Sequence, residues 1–325
     1  MAVAAWGERN NYMVQRRKLD LISAELTTLV YIAVTTVMIA ILWTRLDNPM
    51  GMLGLRGIAL LIMVVTHFTY RFMPYKWSLA WRSFPLFVLL IWWYPEIYDF
   101  CNIYPYQDHV FATIDQTMFG CQPALEFDRV CSSAFWSELF NMGYYSYYYL
   151  MFSVIVFYLL CRTSDYDKAV FIFLGSFFLF YLFYNFLPVA GPQYYFCALD
   201  NIYGDAGWGD SYPALGDYFK SHLEMIVPEV KGVFGQLVIG AQEVGERPAA
   251  AFPSSHVGMS TVSMLLAWRT GNKWLFWILV PFYVILCCST VYIKAHYLID
   301  SICGLFFAAA FYYITLRVYE SYSRR

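Results

Sequence analysis

The chain has 325 residues and a formal net charge of −2, with 60% hydrophobic and only 14% charged residues. Globular domains average about 45–50% and about 25%, so this composition excludes a disordered chain, a coiled coil and an ordinary water-soluble enzyme. The near-neutral charge gives nothing to hold nucleic acid. Long continuous apolar runs, in place of alternating segments of about ten residues, select an all-α polytopic transmembrane bundle over a membrane β-barrel.

At about 20 apolar residues per crossing, six to eight spans are expected. The polar N-terminus through Glu25 has no early apolar region, so it does not read as a cleavable signal peptide. Spans are predicted at Leu26–Trp43, Gly57–Phe72 and Phe84–Tyr98, the third interrupted by Pro95. Phe100–Glu138 reads as an outer interfacial segment, followed by spans at Phe140–Leu160 and Ala169–Leu187. The long stretch Val189–Ser255 is rich in Gly, Pro, Asp and aromatics and has the character of a segment that caps a site. A short span at Val257–Trp268 and longer ones at Trp274–Val291 and Tyr297–Leu316 complete the chain. This divides it into N-terminal helices (1–99), an outer segment (100–139) and a catalytic core (140–325) carrying the outer stretch 189–255.

With the N-terminus inside, the inner loops collect fourteen of the 21 Lys and Arg, in accord with the positive-inside rule. That orientation puts the segment ending at His256 and the loop holding Lys294 and His296 on the same outer face. No Asn-x-Ser/Thr sequon occurs, which favours a bacterial inner membrane over an endomembrane. The eight Cys form no CxxC pair, and an outer disulfide among Cys101, Cys121, Cys131 and Cys197 has little support. His67, His109 and His222 read as polar interfacial residues.

Two segments carry chemistry. Pro253-Ser254-Ser255-His256 opens the short span. Pro and Ser favour a helix start, whose free N–H groups and dipole attract phosphate. Ser254 and Ser255 add hydroxyls beside His256. In the second segment, His296 precedes Asp300 by one helical turn. A carboxylate there would accept the imidazole N–H and leave the other ring nitrogen free as a nucleophile. An aspartate within an apolar span is by default functional. A metal site is a competing use of two His and one Asp, but a Ser-rich helix start offers phosphate donors instead of metal ligands.

Phe252–His256 and His296–Asp300 resemble the second and third motifs of the type 2 phosphatidic acid phosphatase superfamily. Asp115, the Phe119–Pro123 run, the Tyr144–Tyr149 cluster and Gly191-Pro192-Gln193 resemble its inositol phosphorylceramide synthase-like branch. The resemblance implies a six-helix catalytic core and a phosphohistidine intermediate formed without metal or other cofactor. In the phosphatase branch a Lys-x6-Arg-Pro motif precedes the Ser/His motif. Here Gly240 stands at the Lys spacing from Arg247, and Thr290 occupies the place of an Arg in the third motif. Two phosphate-binding cations of the hydrolases are thus missing. A phosphodiester carries one negative charge against nearly two for a monoester, so their loss favours a phosphodiester substrate. Lys294, foremost, with Arg247, Gln193 and Tyr194, are the candidate replacement ligands.

The expected reaction moves a phospho-headgroup from a phosphatidylinositol-like lipid to a ceramide or similar lipid alcohol. His296 would be the nucleophile, oriented by Asp300, and His256 the general acid and base. A lipid phosphatase is the alternative. A proton-relaying transporter is remote, because no internal repeat stands out. The sequence does not specify an oligomeric state.

Overall fold

The computed structural model describes residues 21–204, 207–209, 211–226 and 232–323. Arg9, Arg16, Arg17, Lys18, Lys231, Arg324 and Arg325, used in the charge count, lie outside those residues, as does most of the segment weighed as a signal peptide. The described chain contains thirteen α-helices and no strand. Helices α1 (Ser23–Leu42), α2 (Pro49–Thr69) and α3 (Tyr75–Trp93) come first. Three short helices follow: α4 (Glu96–Cys101), α5 (Asp108–Phe119) and α6 (Pro123–Val130). Two long ones, α7 (Ala134–Cys161) and α8 (Tyr166–Tyr184), precede α9 (Pro192–Tyr203) and α10 (Val233–Gly245). The chain ends with α11 (Ser255–Arg269), α12 (Lys273–Tyr292) and α13 (Leu298–Tyr322).

Six helices are long and apolar enough to cross a membrane: α1, α2, α7, α8, α12 and α13. Their ends follow local chemistry. The Asn48 side chain accepts from Gly51 N–H ahead of Pro49, and Asn272 does the same for Leu275 N–H at the start of α12. Helix α11 has only 15 residues, which spans about 22 Å at 1.5 Å per residue. The run read as the third span, Phe84–Tyr98, breaks at Pro95, with α3 ending at Trp93 and α4 starting at Glu96. Both segments were counted as spans from sequence, and both fall short of the other six. The interfacial stretches hold helices of their own, α4–α6 in one and α9–α10 in the other.

The polarity of the bundle is that of a protein in lipid. Trp274, Trp277 and Ile278 on α12, and Phe306, Ile314 and Val318 on α13, face outward, whereas Thr28, Thr35 and Ser263 are buried. Those three hydroxyls donate to the carbonyl one turn back, at 2.8–2.9 Å, which satisfies them where no water is available. Helix α13 packs against both α8 and α11, α12 packs along α7, and α1 lies on α8.

Two arginines placed in loops by the charge count sit inside the bundle. Arg56 forms a two-pronged pair with Glu96, at 2.6 and 3.0 Å. Arg82 forks onto Glu25, its Nε donating to Oε1 at 2.7 Å, and its guanidinium also meets His67 Nδ1 at 3.3 Å. His67 therefore belongs to an internal cluster and is not an interfacial anchor. These residues are topology signals by composition but structural clasps by position, because an unpaired charge at that depth is costly. All eight cysteines are free thiols.

Candidate active site

The site is built on the turn that joins α12 to α13, and three aspartates hold that turn. Asp115 on α5 accepts Leu298 N–H at 2.8 Å and Ile299 N–H at 3.1 Å. Asp300 accepts Tyr297 N–H at 2.9 Å. These are free N–H groups of a helix start, which carboxylates satisfy best. Asp108, the first residue of α5, accepts Ala190 N–H at 2.9 Å, Gly191 N–H at 2.8 Å and the Tyr297 hydroxyl at 3.2 Å. Burial pushes the Asp108 carboxyl up to about 6, against the lowering effect of those hydrogen bonds.

The start of α11 rests on the first turn of α13. Ser254 N–H donates to the Asp300 carbonyl at 3.0 Å, and its hydroxyl caps Val257 N–H at 3.3 Å. Gly304 permits this approach, since a Cβ there would meet Ser254 O at 2.6 Å. His256 follows, held between Tyr144 and Tyr147, each ring centroid 4.6 Å from the imidazole. Tyr148 and Tyr149 face outward, so the tyrosine cluster divides between the site and the lipid-facing surface.

The two histidines meet. His296 Nε2 lies 3.3 Å from His256 Nδ1, and His296 Nδ1 lies 2.7 Å from the Ala251 carbonyl. A carbonyl only accepts, so His296 carries its proton on Nδ1 and presents an Nε2 lone pair. The expected carboxylate partner is thus replaced by a main-chain oxygen. Asp300 Oδ2 stays 3.9 Å from Nδ1 because it is engaged with Tyr297 N–H. Burial lowers the His296 imidazole to about 4, which keeps it neutral near pH 7.

The backbone around this bond is shaped tightly. Ala250 and Lys294 both adopt left-handed φ of 63°, a conformation that costs a non-glycine residue about 1–3 kcal/mol and clusters at functional sites. Gly191 has φ of 99°, and a Cβ there would meet Ala295 O at 2.8 Å. Only glycine fits between the loop that presents Ala251 and the turn that presents His296.

Both histidines line a cavity of about 10 Å³, together with Ser255, Gln193, Tyr194, Glu246 and Arg247 among others. That volume holds about one water molecule. Four of the six expected phosphate ligands are therefore brought together: Ser255, Arg247, Gln193 and Tyr194. Two are not. Ser254 is fully buried and its hydroxyl serves as the α11 cap. Lys294, the foremost candidate, is ion-paired with Asp128 and lines a separate cavity of about 450 Å³. Its left-handed backbone sends the carbonyl to Gln193 N–H at 2.9 Å, while the side chain faces the second cavity.

Glu246 was not anticipated from sequence. Its carboxylate accepts from the Tyr144 hydroxyl at 3.2 Å and from Gln193 Nε2 at 3.0 Å. Asp108 was also missed, and Asp115 entered only through family resemblance. An acidic residue just before Arg247-Pro248 and another seven positions ahead of Asp115 are weak signals in a chain with 23 Asp and Glu.

A family model described as the PAP2 superfamily matches residues 111–314. Comparison with curated proteins and with solved structures gives no match. The matched stretch runs from within α5 through most of α13 and includes both histidines, Asp115, Asp300 and most of the cavity lining, whereas Asp108 lies three residues ahead of it. With more than half of its length matched and an all-helical membrane bundle around that site, the chain belongs to the PAP2 superfamily.

Proposed function

We propose that the protein transfers a phospho-headgroup, phosphoinositol foremost, from a glycerophospholipid to ceramide or a similar lipid alcohol, at the outer membrane face. The observation that carries this reading is the pair of facing imidazoles in a small cavity whose lining, among the described residues, has Arg247 as its only Lys or Arg. Membership of the PAP2 superfamily supports lipid phosphatase or phosphotransferase chemistry. A lining with a single guanidinium lacks the cations that a doubly charged phosphomonoester calls for.

In the proposed mechanism, His296 Nε2 attacks phosphorus in line and the bond from phosphorus to the diacylglycerol oxygen breaks. The bound phosphodiester anion favours protonated His256, which gives its proton to the leaving alkoxide. The headgroup phosphate is then held on Nε2. His256 next takes the proton of the lipid alcohol, whose oxygen displaces His296 and restores the neutral ring. Arg247, Gln193, Tyr194 and Ser255 hold the phosphate oxygens. Asp300 acts through the turn, keeping Tyr297 and hence His296 in place.

Purified protein in detergent, given labelled phosphatidylinositol with and without ceramide, should form a ceramide-dependent product by chromatography or mass spectrometry. Release of phosphate from phosphatidic acid without any such product would favour the hydrolase and sink the transferase. In the same assay Arg247→Ala should lose about 10²-fold or more in kcat/KM. Lys294→Met should stay within about threefold, as expected of a residue outside the phosphate contacts. Equal losses in the two variants would remove Arg247 as the distinguishing ligand.

A further inference from the structure

Glu246 is the one Asp or Glu among the described residues lining the histidine cavity. It is held on both oxygens, by the Tyr144 hydroxyl and by Gln193 Nε2. Tyr144 stacks on His256 at an interplanar angle of 28°, so the carboxylate is coupled through one aromatic ring to the general acid and base. Gln193 is fixed in turn: its main chain bonds Lys294 O and Ile226 N–H, each at 2.9 Å, and its side-chain carbonyl accepts from Gln242 at 3.2 Å. The adjacent Arg247 donates through Nη1 to the Glu246 main-chain carbonyl at 2.7 Å. Cation and carboxylate are thus consecutive, half-buried residues lining one cavity.

This placement is unfavourable for an anion-binding site in general. Burial raises the Glu246 carboxyl, and the side-chain hydrogen bonds from Gln193, Tyr144 and Gln242 oppose that rise by favouring the carboxylate. A phosphate entering the cavity then meets one positive and one negative side chain, beside a His296 that burial keeps neutral. A phosphodiester brings one negative charge; a phosphomonoester near neutral pH brings nearly two. Repulsion between like charges is stronger at a half-buried site than in bulk water. The penalty exerted by a fixed carboxylate therefore roughly doubles between diester and monoester.

We infer that Glu246 is a specificity-determining residue that rejects dianionic phosphomonoesters, such as phosphatidic acid, in favour of singly charged phosphodiester lipids. The inference rests on the phosphoryl-transfer reading of the histidine pair and adds to it the feature that selects the donor. A missing cation weakens every anion in proportion to its charge. A fixed carboxylate held on two sides adds active exclusion, which is how specificity is gained by disfavouring the wrong partner.

The test compares short-chain phosphatidylinositol and short-chain phosphatidic acid on the purified full-length protein, by equilibrium binding and by turnover. Native protein should bind the diester more tightly than the monoester. Glu246→Gln keeps the shape and one acceptor but removes the charge, and should raise the monoester-to-diester ratio of affinities and of kcat/KM by tenfold or more. Glu246→Asp, which keeps the charge, should hold the ratio near that of the native protein. Glutamine changing both lipids by the same factor would reduce Glu246 to a structural residue and overturn the inference. Failure of the transferase reading shows separately, as no ceramide-dependent product from native protein, while the binding ratio still reports on Glu246.

Discussion

His296→Asn is expected to lower headgroup transfer by roughly 10⁴-fold or more, the scale of losing a covalent nucleophile. His256→Ala should lose about 10²- to 10⁴-fold, the range of a general acid and base. The two variants separate further with a donor whose leaving group needs no proton. On such a donor, His256→Ala should accumulate label on His296, released by acid and stable to alkali as expected of a phosphorus–nitrogen bond, and His296→Asn should capture none. The pH dependence of kcat/KM in native protein adds a second readout. A raised imidazole pKa would place the acid limb above 6.5, but burial lowers His296 to about 4. The nucleophile therefore stays unprotonated above that value, and activity should fall as pH drops through the region near 4. An acid limb centred at or above 6.5 would contradict a buried, neutral His296 as the attacking group.

The second large effect belongs to Asp108, which touches neither histidine. Asp108→Ala leaves Ala190 N–H, Gly191 N–H and the Tyr297 hydroxyl without their acceptor in a buried region. At about 1–3 kcal/mol for each orphaned group, a loss of roughly 3 kcal/mol or more is expected. It should register as a much shorter half-life at elevated temperature in detergent, a suitable measure for a membrane protein that unfolds irreversibly. Activity should fall with it, because the Gly191 loop and Tyr297 flank the turn that presents His296. Asp108→Asn keeps an acceptor and should recover part of the lifetime. A normal lifetime for Asp108→Ala would show that the loop is held by other contacts.

The membrane character of the chain and the placement of both histidines at one end of the bundle were legible in the sequence for one physical reason. Long apolar runs and polar residues stranded at their ends are local features, readable without knowing what packs where. Asp300 illustrates the limit. Its spacing from His296 suggests one shared helix face, but the helix starts only at Leu298, so His296 lies in the preceding turn and its imidazole N–H goes to Ala251, far off in sequence and brought in by a loop. Lys294 shows the same limit from the other direction, since a left-handed backbone residue turns its side chain away from a neighbour two positions on. Arg56 and Arg82 misread as loop charges because their partners, Glu96 and Glu25, lie 40 and 57 residues away. Glu246 and Asp108 are functional candidates by virtue of the cavity and the turn, neither of which exists in one dimension.

The 3.3 Å contact between the two imidazoles has a consequence for the idle protein. His296 Nε2 is the atom assigned to attack, and in this arrangement its lone pair is already occupied by the neighbouring ring. Phosphorus with its oxygens does not fit into a gap that a single hydrogen bond closes, so the rings must part before a lipid is engaged. The energy for that separation comes from the donor, and it lowers apparent affinity by the fraction of molecules with the rings already apart. Free inositol phosphate, lacking the acyl chains that would drive the opening, is then expected to be a feeble competitor. The proposed nucleophile is thus latent in this arrangement, and the proposed reaction requires a seated lipid to expose it.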